Sequence, residues 1–444
     1  MVTRHKGFPG GAVLPDDKDL TEGLSIEDIP KPSVVQVVLD DGAGGTAEPT
    51  VQPGEKVGLG QPIGLPQDED GVGVHSTVSG VVREIAEVIL ANGAKRFTVV
   101  IEADGQDSIF PSEKGEQWKL YSEGLIRCLR WAGITQMGLA GGSLVRRTRK
   151  ALKAGLRCVI INAVESEPLI TSETRLMTEH ADEIGRGCKL LADILGLAAP
   201  SRKSSAPQGI LALCGLRQQA LEAMRKTLKG GAFRLAILAD RYPQDEEVLL
   251  TNTLTNAGLR ATRDPSEVGV LVINVTSVWA LSQAWYDGKP VTERVITVAG
   301  DGTEKIGNYR VRIGTSIQDI VQHVEPLPEA TRYVLGGPFR GWGRPAPEGV
   351  VTKETTGLTV LSRAYRQGPE ACIRCGWCID DCPVGIDPIR LYRLIEAGRL
   401  DKVEKAWLED CIECGLCSYV CPTHLPLLEK IHLGKWALRQ KQLA

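Results

Sequence analysis

Cys372-Ile-Arg-Cys375-Gly-Trp-Cys378-Ile-Asp-Asp-Cys382-Pro383 is the most informative stretch of this chain, and a second copy follows it. The second copy reads Cys411-Ile-Glu-Cys414-Gly-Leu-Cys417-Ser-Tyr-Val-Cys421-Pro422. Both copies have the spacing C-x2-C-x2-C-x3-C-P. Two identical spacings in one chain do not arise by accident, so the cysteines are expected to work together.

This spacing is typical of proteins that hold two [4Fe–4S] clusters. Three thiolates on a tight loop can reach three irons of one cubane, and small Gly376 and Gly415 let each loop fold around it. The fourth cysteine, followed by proline, points away and reaches the cubane of the other copy. We therefore predict one cluster on Cys372, Cys375, Cys378 and Cys421, and another on Cys411, Cys414, Cys417 and Cys382.

The alternatives for these cysteines are structural zinc sites and disulfides. Zinc sites usually offer two CxxC pairs far apart, whereas each copy here packs four cysteines into eleven positions. Disulfides need an oxidising compartment, and the sequence shows no secretory signal. The other four cysteines stand singly among apolar neighbours and are predicted to be inert core residues in a reducing cytoplasm: Cys128, Cys158, Cys188 and Cys214.

Composition excludes several classes of function. The 444 residues predict about three domains, and 42% hydrophobic residues suffice for ordinary cores. A net charge of −3 and 5% aromatic residues argue against nucleic-acid binding. No apolar run approaches the roughly 20 residues of a transmembrane helix. Membrane association is therefore expected only through a partner or a surface patch.

Residues from 33 to about 82 read as short strands broken by glycine turns, which predicts a small β-sandwich or barrel. Their pattern resembles the hammerhead of lipoyl and biotinyl carriers, but residues 76–79 offer no lysine for modification. His75 is expected to be a hydrogen-bonding residue at a strand end. Residues 1–30 lack periodicity and are expected to wrap over another domain.

From 120 to about 296, helices alternate with buried strands, which indicates an α/β domain. A Gly-rich loop with Gly138, Gly141 and Gly142 precedes a basic helix, a pattern that can expose backbone N–H groups to a phosphate. Polar residues follow two buried strands, where open α/β sheets bind ligands. These residues are Asn162, Glu165 and Glu167 after the first strand, and Asn274 and Ser277 after the last. A helix that merely begins with acidic residues is the alternative for the first group.

Further along, 290–324 predicts a small β-rich unit with a helix from Ser316, and 176–197 predicts one long amphipathic helix. The order of all these pieces resembles the RnfC family of Rnf electron-transport complexes, with a middle similar to the NADH- and FMN-binding subunit of respiratory complex I. The resemblance covers nearly the whole chain. The segments that carry it are Gly10-Gly11, Glu48-Pro49, 75–80, 162–168, 175–180, Tyr242-Pro243-Gln244, Asn274-Val275, Gly336-Gly337-Pro338 and both cysteine motifs.

The resemblance implies four domains in a multidomain α/β fold. They are a hammerhead or barrel-sandwich domain (1–115), a Rossmann-like α/β domain for FMN and NADH (116–288), a soluble-ligand-binding β-grasp (SLBB) unit (289–345), and a two-[4Fe–4S] ferredoxin-like domain (346–444). It also implies an oxidoreductase subunit on the cytoplasmic face of a membrane complex. Such a subunit passes electrons between NADH, through FMN, and partner subunits or ferredoxin, while other subunits translocate ions.

Two loops depart from the family pattern. The glycine loop has Ala140 and Ser143 where the family has glycine, and the segment after Gln244 carries Asp245 and Glu246 where the family has small residues. Added carboxylates repel a dinucleotide phosphate. Two further hypotheses therefore stand beside the Rnf subunit: a soluble reductase of the cobalamin-reductase type, and an electron relay that binds no nucleotide.

Overall fold

The computed structural model describes residues 2–5, 8–89, 95–112, 118–138, 141–198, 207–362 and 368–443. The strands in this part of the chain are β1 (Val2–His5), β2 (Ile26–Asp28), β3 (Val34–Val38), β4 (Glu48–Pro49), β5 (Lys56–Val57), β6 (Pro62–Leu65), β7 (Val74–His75), β8 (Gly80–Ile89), β9 (Lys95–Ala103), β10 (Cys158–Asn162), β11 (Gln208–Cys214), β12 (Phe233–Leu238), β13 (Val270–Asn274), β14 (Glu293–Ala299), β15 (Gly307–Arg312), β16 (Arg332–Leu335), β17 (Trp342–Arg344) and β18 (Gly357–Leu361).

The α-helices are α1 (Ser122–Ala132), α2 (Leu144–Lys153), α3 (Ser172–Glu179), α4 (Ala181–Leu195), α5 (Gln218–Thr227), α6 (Glu247–Thr255), α7 (Val275–Ser282), α8 (Ile317–His323), α9 (Trp377–Asp380), α10 (Pro388–Glu396), α11 (Leu400–Val403), α12 (Leu416–Tyr419) and α13 (Leu427–Leu443). Among the described helices, none is long and apolar enough to cross a membrane.

A parallel sheet of five strands, ordered β1-β12-β11-β10-β13, forms the centre of the α/β region. Strands β10 and β13 are buried along their whole length, as expected for strands of a parallel sheet that is covered on both faces. Their register pairs Asn162 with Asn274, so the last residues of the two strands lie side by side. The carboxyl end of the sheet thus gathers the polar residues that the sequence placed after each strand.

The helix predicted over 176–197 is in fact two helices, which is a correction to the sequence analysis. Helix α3 ends and α4 begins at His180, whose φ of −115° is not helical. Helix α3 packs on β14 and β15, and both halves pack on α5 and α7.

Two small sheets make up the first β region. One is ordered β3-β9-β8-β5 and the other β4-β6-β7, and the described pairs within both are antiparallel. They enclose one apolar core that includes Val35, Leu39, Ile63 and Ile101. The alternating pattern of the sequence produces this core, since every second residue of a strand faces inward.

A mixed sheet of six strands, ordered β17-β16-β18-β14-β15-β2, carries α8. The side chain of Ser316 caps α8 by accepting from the Asp319 N–H, as the predicted helix start requires. Strands β2 and β18 lie outside the range 289–345 predicted for this unit, yet β18 sits between β14 and β16. The sheet therefore draws on residues that the sequence analysis placed in the first and last domains.

The segment from 8 to 20 runs over other regions, as expected. Its Gly11 N–H donates to the carbonyl of Asp381 at 2.9 Å, and Ala12 exchanges backbone hydrogen bonds with Tyr242. Lys18 is 1% exposed, and its ammonium donates to the Glu165 carbonyl. This segment joins the α/β region to the cysteine-rich region, whose helices α10 and α13 share a separate apolar core.

Candidate functional site

A cavity of about 520 Å³ opens at the carboxyl ends of β10 and β13. Its walls come from several segments: Gln136, Gly138, Asn162, Val164, Glu165, Glu167, Ile170, Glu173, Asp245, Glu246, Glu247, Asn274, Arg340 and Thr356. Six of these residues are acidic and one is an arginine. The cavity is thus strongly polar, and we call it the sheet-edge pocket.

Glu165 holds the start of α3. One carboxylate oxygen accepts from the Glu173 N–H at 2.9 Å, and the other accepts from the Thr174 N–H and hydroxyl at 3.2 and 2.8 Å. A carboxylate at a helix N-terminus satisfies N–H groups that have no partner inside the helix. Glu165 therefore stabilises a helix start, as the alternative interpretation of these acidic residues predicts. It is also buried and forms part of the pocket wall.

Arg340 is the pocket's central cation. Its guanidinium donates to Glu167 at 3.1 Å and to Asp245 at 2.5 Å, and it lies 5.3 Å from the ring centre of Tyr242. Burial lowers the pKa of Arg340, but the carboxylate of Asp245 and its other acidic neighbours outweigh burial and raise that pKa well above its usual value. Arg340 consequently stays charged and offsets one of the two negative charges of Glu167 and Asp245.

Two further pocket carboxyls have perturbed acidities. Burial and then the charge of Glu165 raise the pKa of Glu173 to about 8. Burial and then Glu247 raise the pKa of Glu246 to about 7. Glu173 is therefore protonated near neutral pH, and it accepts from the Asn274 amide at 2.6 Å while its other oxygen can donate. Glu247 pairs with Arg147 and accepts from Gln136 at 2.6 Å.

The last cysteine of each motif lies near the cysteines of the other motif. Burial, then Asp387, Cys375 and Cys421, raise the pKa of Cys378 to about 11, so the cysteine that ends the second motif faces the first loop. Cys372 belongs to that same loop.

The second loop shows the converse arrangement. Burial and then the charges of Cys411, Cys414 and Cys382 raise the pKa of Cys417 well above its usual value. Cys382, which ends the first motif, therefore faces the second loop. Within the described residues, no three His, Cys, Asp or Glu side chains converge closely enough to hold a single metal ion. The thiolates of a cubane bind separate irons and stand further apart.

The second cysteine loop lies against the sheet-edge pocket. Tyr242 donates its hydroxyl to the carbonyl of Cys414 at 2.6 Å and packs with Cys414 and Leu416 in a small apolar cluster. Phe339 lies 4.8 Å from the Tyr242 ring and 5.1 Å from the Tyr419 ring. Because Phe339 is followed by the pocket residue Arg340, one thin wall separates pocket and cysteines.

The predicted pocket residues fall into two groups. Gly138, Asn162, Glu165, Glu167 and Asn274 line the pocket. The other three lie beyond its lining. Ser277 is 1% exposed and binds the backbone, donating to the Thr135 carbonyl and accepting from the Met137 N–H. Gly141 and Gly142 lie beside Glu354, and position 140 is outside the described residues.

Sequence reasoning missed Glu173 and Arg340 as site residues. Glu173 belongs to a helix start, where an acidic residue is ordinary. Arg340 follows the Gly336-Gly337-Pro338 turn, and that turn was its only signal. Gly337 is necessary there, because a Cβ at Gly337 would lie 1.8 Å from the Cγ of Glu167.

The residues present fit the cofactors that the motifs imply. Gly138 lets the loop backbone touch Asn274, since a Cβ would lie 2.7 Å from the Asn274 amide nitrogen. Asn162, Asn274 and Glu173 offer hydrogen-bonding groups for a flavin ring, and the two cysteine groups offer four thiolates each for a cluster.

Three segments match described protein families. Residues 6–106 match the RnfC barrel sandwich hybrid domain, residues 129–283 match the Nuo51 FMN-binding domain, and residues 371–426 match the 4Fe-4S dicluster domain. With the geometry above, these matches define the class of the chain. It is an electron-transfer protein built from an FMN-binding domain and a two-cluster iron–sulfur domain.

Relatives cover almost the whole chain. It is 33% identical over 443 residues to the RnfC protein of the ion-translocating oxidoreductase complex of Rhodobacter capsulatus, covering 97% of this chain and 83% of that one. It is 30% identical over 413 residues to the corresponding protein of the Na⁺-translocating ferredoxin:NAD⁺ oxidoreductase complex of Acetobacterium woodii, covering 91% and 90%. The chain belongs to the RnfC family, whose members are components of ion-translocating oxidoreductase complexes.

Some relatives are longer. The chain is 32% identical to the RnfC protein of Cronobacter sakazakii but spans 55% of its length. Among solved structures, the NAD⁺-reducing [NiFe]-hydrogenase in the air-oxidized state superposes with a TM-score of 0.49 at 19% identity, covering 70% of this chain and 63% of that one.

Proposed function

We propose that this chain is the electron-entry subunit of an Rnf-type complex. In this role it exchanges electrons between NADH at the sheet-edge pocket and one-electron partners reached through two [4Fe–4S] clusters. The observation that carries the proposal is the shared wall of Tyr242, Phe339 and Arg340 between the pocket and the cysteines of the second loop. Electrons cross short distances between packed groups, so this juxtaposition suits a relay.

The protein supplies positions and charges to this chemistry, and the cofactors supply electron transfer. A flavin bound in the pocket would take two electrons together and release them one at a time. Asn162 and Asn274 would orient the flavin ring, and protonated Glu173 would donate a hydrogen bond to it. Arg340 offsets one negative charge of the Glu167 and Asp245 pair, so the pocket holds less negative charge than its six carboxyls suggest.

The crossed assignment of cluster ligands is part of the proposal. Cys372, Cys375, Cys378 and Cys421 hold one cluster, while Cys411, Cys414, Cys417 and Cys382 hold the other. Cys421 raises the pKa of Cys378, and Cys382 raises the pKa of Cys417, which supports this pairing.

Paired substitutions test the crossing. Cys372 and Cys421 are ligands of the same cluster in this assignment, so the double Cys→Ser variant should lose that cluster and keep about four irons per chain. Cys372 and Cys382 are ligands of different clusters, so the variant that lacks both should lose both clusters and hold almost no iron. Iron is measured on protein purified without oxygen. The opposite ranking of the two variants would refute the crossing.

Partners and location extend the proposal. The names of the relatives describe complexes that translocate ions and, in Acetobacterium woodii, couple ferredoxin to NAD⁺. We infer that this chain lies peripherally on the cytoplasmic face of a membrane, bound to other subunits and exchanging electrons with ferredoxin-like carriers. The six-stranded sheet would be the SLBB unit, and the first β region a hammerhead-like domain.

Cofactor analysis tests the proposed function. Anaerobically purified protein should contain about eight irons, matching acid-labile sulfide, and one FMN released by denaturation, and NADH should bleach the flavin absorbance. Gly138→Ala should lose flavin while keeping iron, because its Cβ would press on Asn274. Gly23→Ala is the control, since a Cβ there meets nothing within 4 Å. Equal flavin in the two variants would place the flavin elsewhere.

A second candidate is an electron relay that binds no nucleotide. The six acidic residues around the sheet-edge pocket favour it, because carboxylates repel a phosphate. Protein with about eight irons, no flavin and no response to NADH would establish this candidate and exclude the first.

A further inference from the structure

A second cavity, of about 590 Å³, lies apart from the sheet-edge pocket. It is enclosed by the first β region, by the six-stranded sheet and by the segment that enters the glycine loop. Aliphatic side chains form much of its wall: Val38, Val74, Val291 and Ile313. We call it the junction cavity. This volume includes open solvent, and the room left for a bound molecule is about 60 Å³, so an occupant must be small.

Two buried polar atoms in the junction cavity lack partners. His75 is 3% exposed and Thr135 is 2% exposed. Neither the His75 Nδ1 nor the Thr135 Oγ1 has a hydrogen-bond partner among the described residues. His75 was expected to be a hydrogen-bonding residue at a strand end, and its Nδ1 makes no such bond. Buried polar groups are nearly always paired, so two orphans in one cavity indicate an occupant.

Lys353 places a cation in the junction cavity, near the His75 Nδ1. A Cβ built on Gly133 would lie 3.0 Å from the Lys353 Nζ and 3.5 Å from the His75 Nδ1, so both nitrogens approach Gly133. The ammonium makes one long hydrogen bond, 3.3 Å to the Gly73 carbonyl. Within the described chain, no carboxylate lies close enough to form an ion pair with it. An ammonium has three donors, so most of its capacity is unused.

The two carboxylates beside the cavity have other partners. Asp40 accepts from the Gly42 N–H at 2.7 Å and lies 3.7 Å from Arg96. Glu354 is exposed and accepts from the Gly142 N–H at 3.5 Å, on the side of the glycine loop. The remaining unpaired groups are thus a cation, a hydroxyl and an imidazole nitrogen, surrounded by aliphatic walls.

We propose that the junction cavity binds a small monocarboxylate with an apolar body. The carboxylate accepts from the Lys353 ammonium and the Thr135 hydroxyl, and the apolar body packs against Val74, Val291 and Ile313. A carboxylate accepts several hydrogen bonds at once, so it would satisfy the Lys353 ammonium and the Thr135 hydroxyl, and also the His75 Nδ1 in the tautomer that carries its proton there. An uncharged apolar molecule would leave them unpaired, and burying unpaired polar groups is unfavourable.

The charge states agree with an anionic ligand. Burial lowers the pKa of Lys353 to about 8, while Asp40, Glu354 and Asp41 act to raise it. Lys353 is therefore mostly protonated at neutral pH. Burial and then Lys353 lower the pKa of His75 to about 3, so the imidazole is neutral and adds no charge. A bound carboxylate would sit beside one cation.

Titration calorimetry with propionate on the full-length, cluster-loaded protein at neutral pH tests the proposal. 1-Propanol, similar in shape but uncharged, is the control ligand. Propionate should bind at least tenfold more tightly than 1-propanol, since a charge-assisted hydrogen bond is lost in the alcohol. Equal affinities would show an apolar cavity only, and absence of propionate binding would overturn the proposal.

Variants place the site. Lys353→Met should weaken propionate binding at least tenfold, and Thr135→Val should weaken it severalfold. Lys305→Met is the matched control, because Lys305 is 50% exposed and pairs with Glu325 at the surface. Iron content and unfolding temperature check that each variant folds, and Lys353→Gln replaces Lys353→Met if the latter does not. Unchanged affinity in the folded Lys353 variant would refute the assignment.

Discussion

Replacing Arg340 by methionine is the sharpest test of how the wall between pocket and clusters is held. The side chains of Glu167 and Asp245 are 2% and 8% exposed, and Arg340 is the cation that bonds to both. Arg340→Met leaves these two buried carboxylates without their cation. Removing one member of a buried ion pair typically destabilises by about 3–5 kcal/mol.

The loop that carries Arg340 should respond first. The N–H groups of residues 339 and 340 donate to Glu167 at 2.7 and 2.9 Å, so their hydrogen exchange reports local opening. A loss of about 3–5 kcal/mol corresponds to roughly two to three and a half powers of ten in protection. Exchange measured by mass spectrometry on a peptide spanning 335–345 gives this number.

Two companion variants make the test specific. Arg332→Met, on the neighbouring strand β16 with an exposed side chain, should leave protection unchanged. Adding Asp245→Asn to Arg340→Met removes one of the unpaired charges. The double variant should recover at least tenfold of the lost protection from exchange, because the two changes are coupled. If protection from exchange fell by less than about threefold in Arg340→Met, the account of Arg340 as the charge that holds this wall would be refuted. Strictly additive effects of the two substitutions on protection would refute it as well.

Three further predictions concern the same region. Because Glu173 has its pKa raised to about 8, the folded protein holds a proton that the unfolded chain loses near pH 4.5, so stability should decline as pH rises between these values. Unfolding temperatures from about pH 6 to 9 measure this decline, and Glu173→Gln should flatten it; an unchanged slope would contradict the assignment. Gly337→Ala should destabilise by about 1–3 kcal/mol and release flavin, because its Cβ would overlap Glu167. Gly343→Ala, whose nearest neighbour atom would be 3.7 Å away, should do neither. Tyr242→Phe loses the bond to a cysteine carbonyl of the second motif and should lower the urea concentration that releases iron, by the equivalent of about 1–3 kcal/mol.

The strands and the polar edge of the α/β region follow from local patterns in the sequence. Asn162 and Asn274 end buried strands, and parallel strands bring such ends together, so their meeting could be predicted. Ser277 could not be placed in this way. Helix α7 begins directly after Asn274, and within its first turn Ser277 contacts the backbone of 135 and 137 instead of the pocket.

Contacts between distant segments account for what the sequence did not reveal. Arg340 and Glu167 are 173 residues apart, and only the finished fold brings them into contact. The same holds for β18, whose short apolar run gives no sign of the sheet it joins. The orphaned atoms of His75 and Thr135 depend on the closure of three regions around one cavity, so no local pattern predicts them.

The strap of residues 8–20 has a consequence for biogenesis. Gly10 lies so near the cysteine-rich region that a Cβ would come within 2.5 Å of the Cys382 carbonyl oxygen. The ribosome makes this strap long before it makes Cys382, so the strap must wait for its partner throughout synthesis. The contacts of the strap with Asp381 and Cys382 therefore form late, after most of the chain has been made.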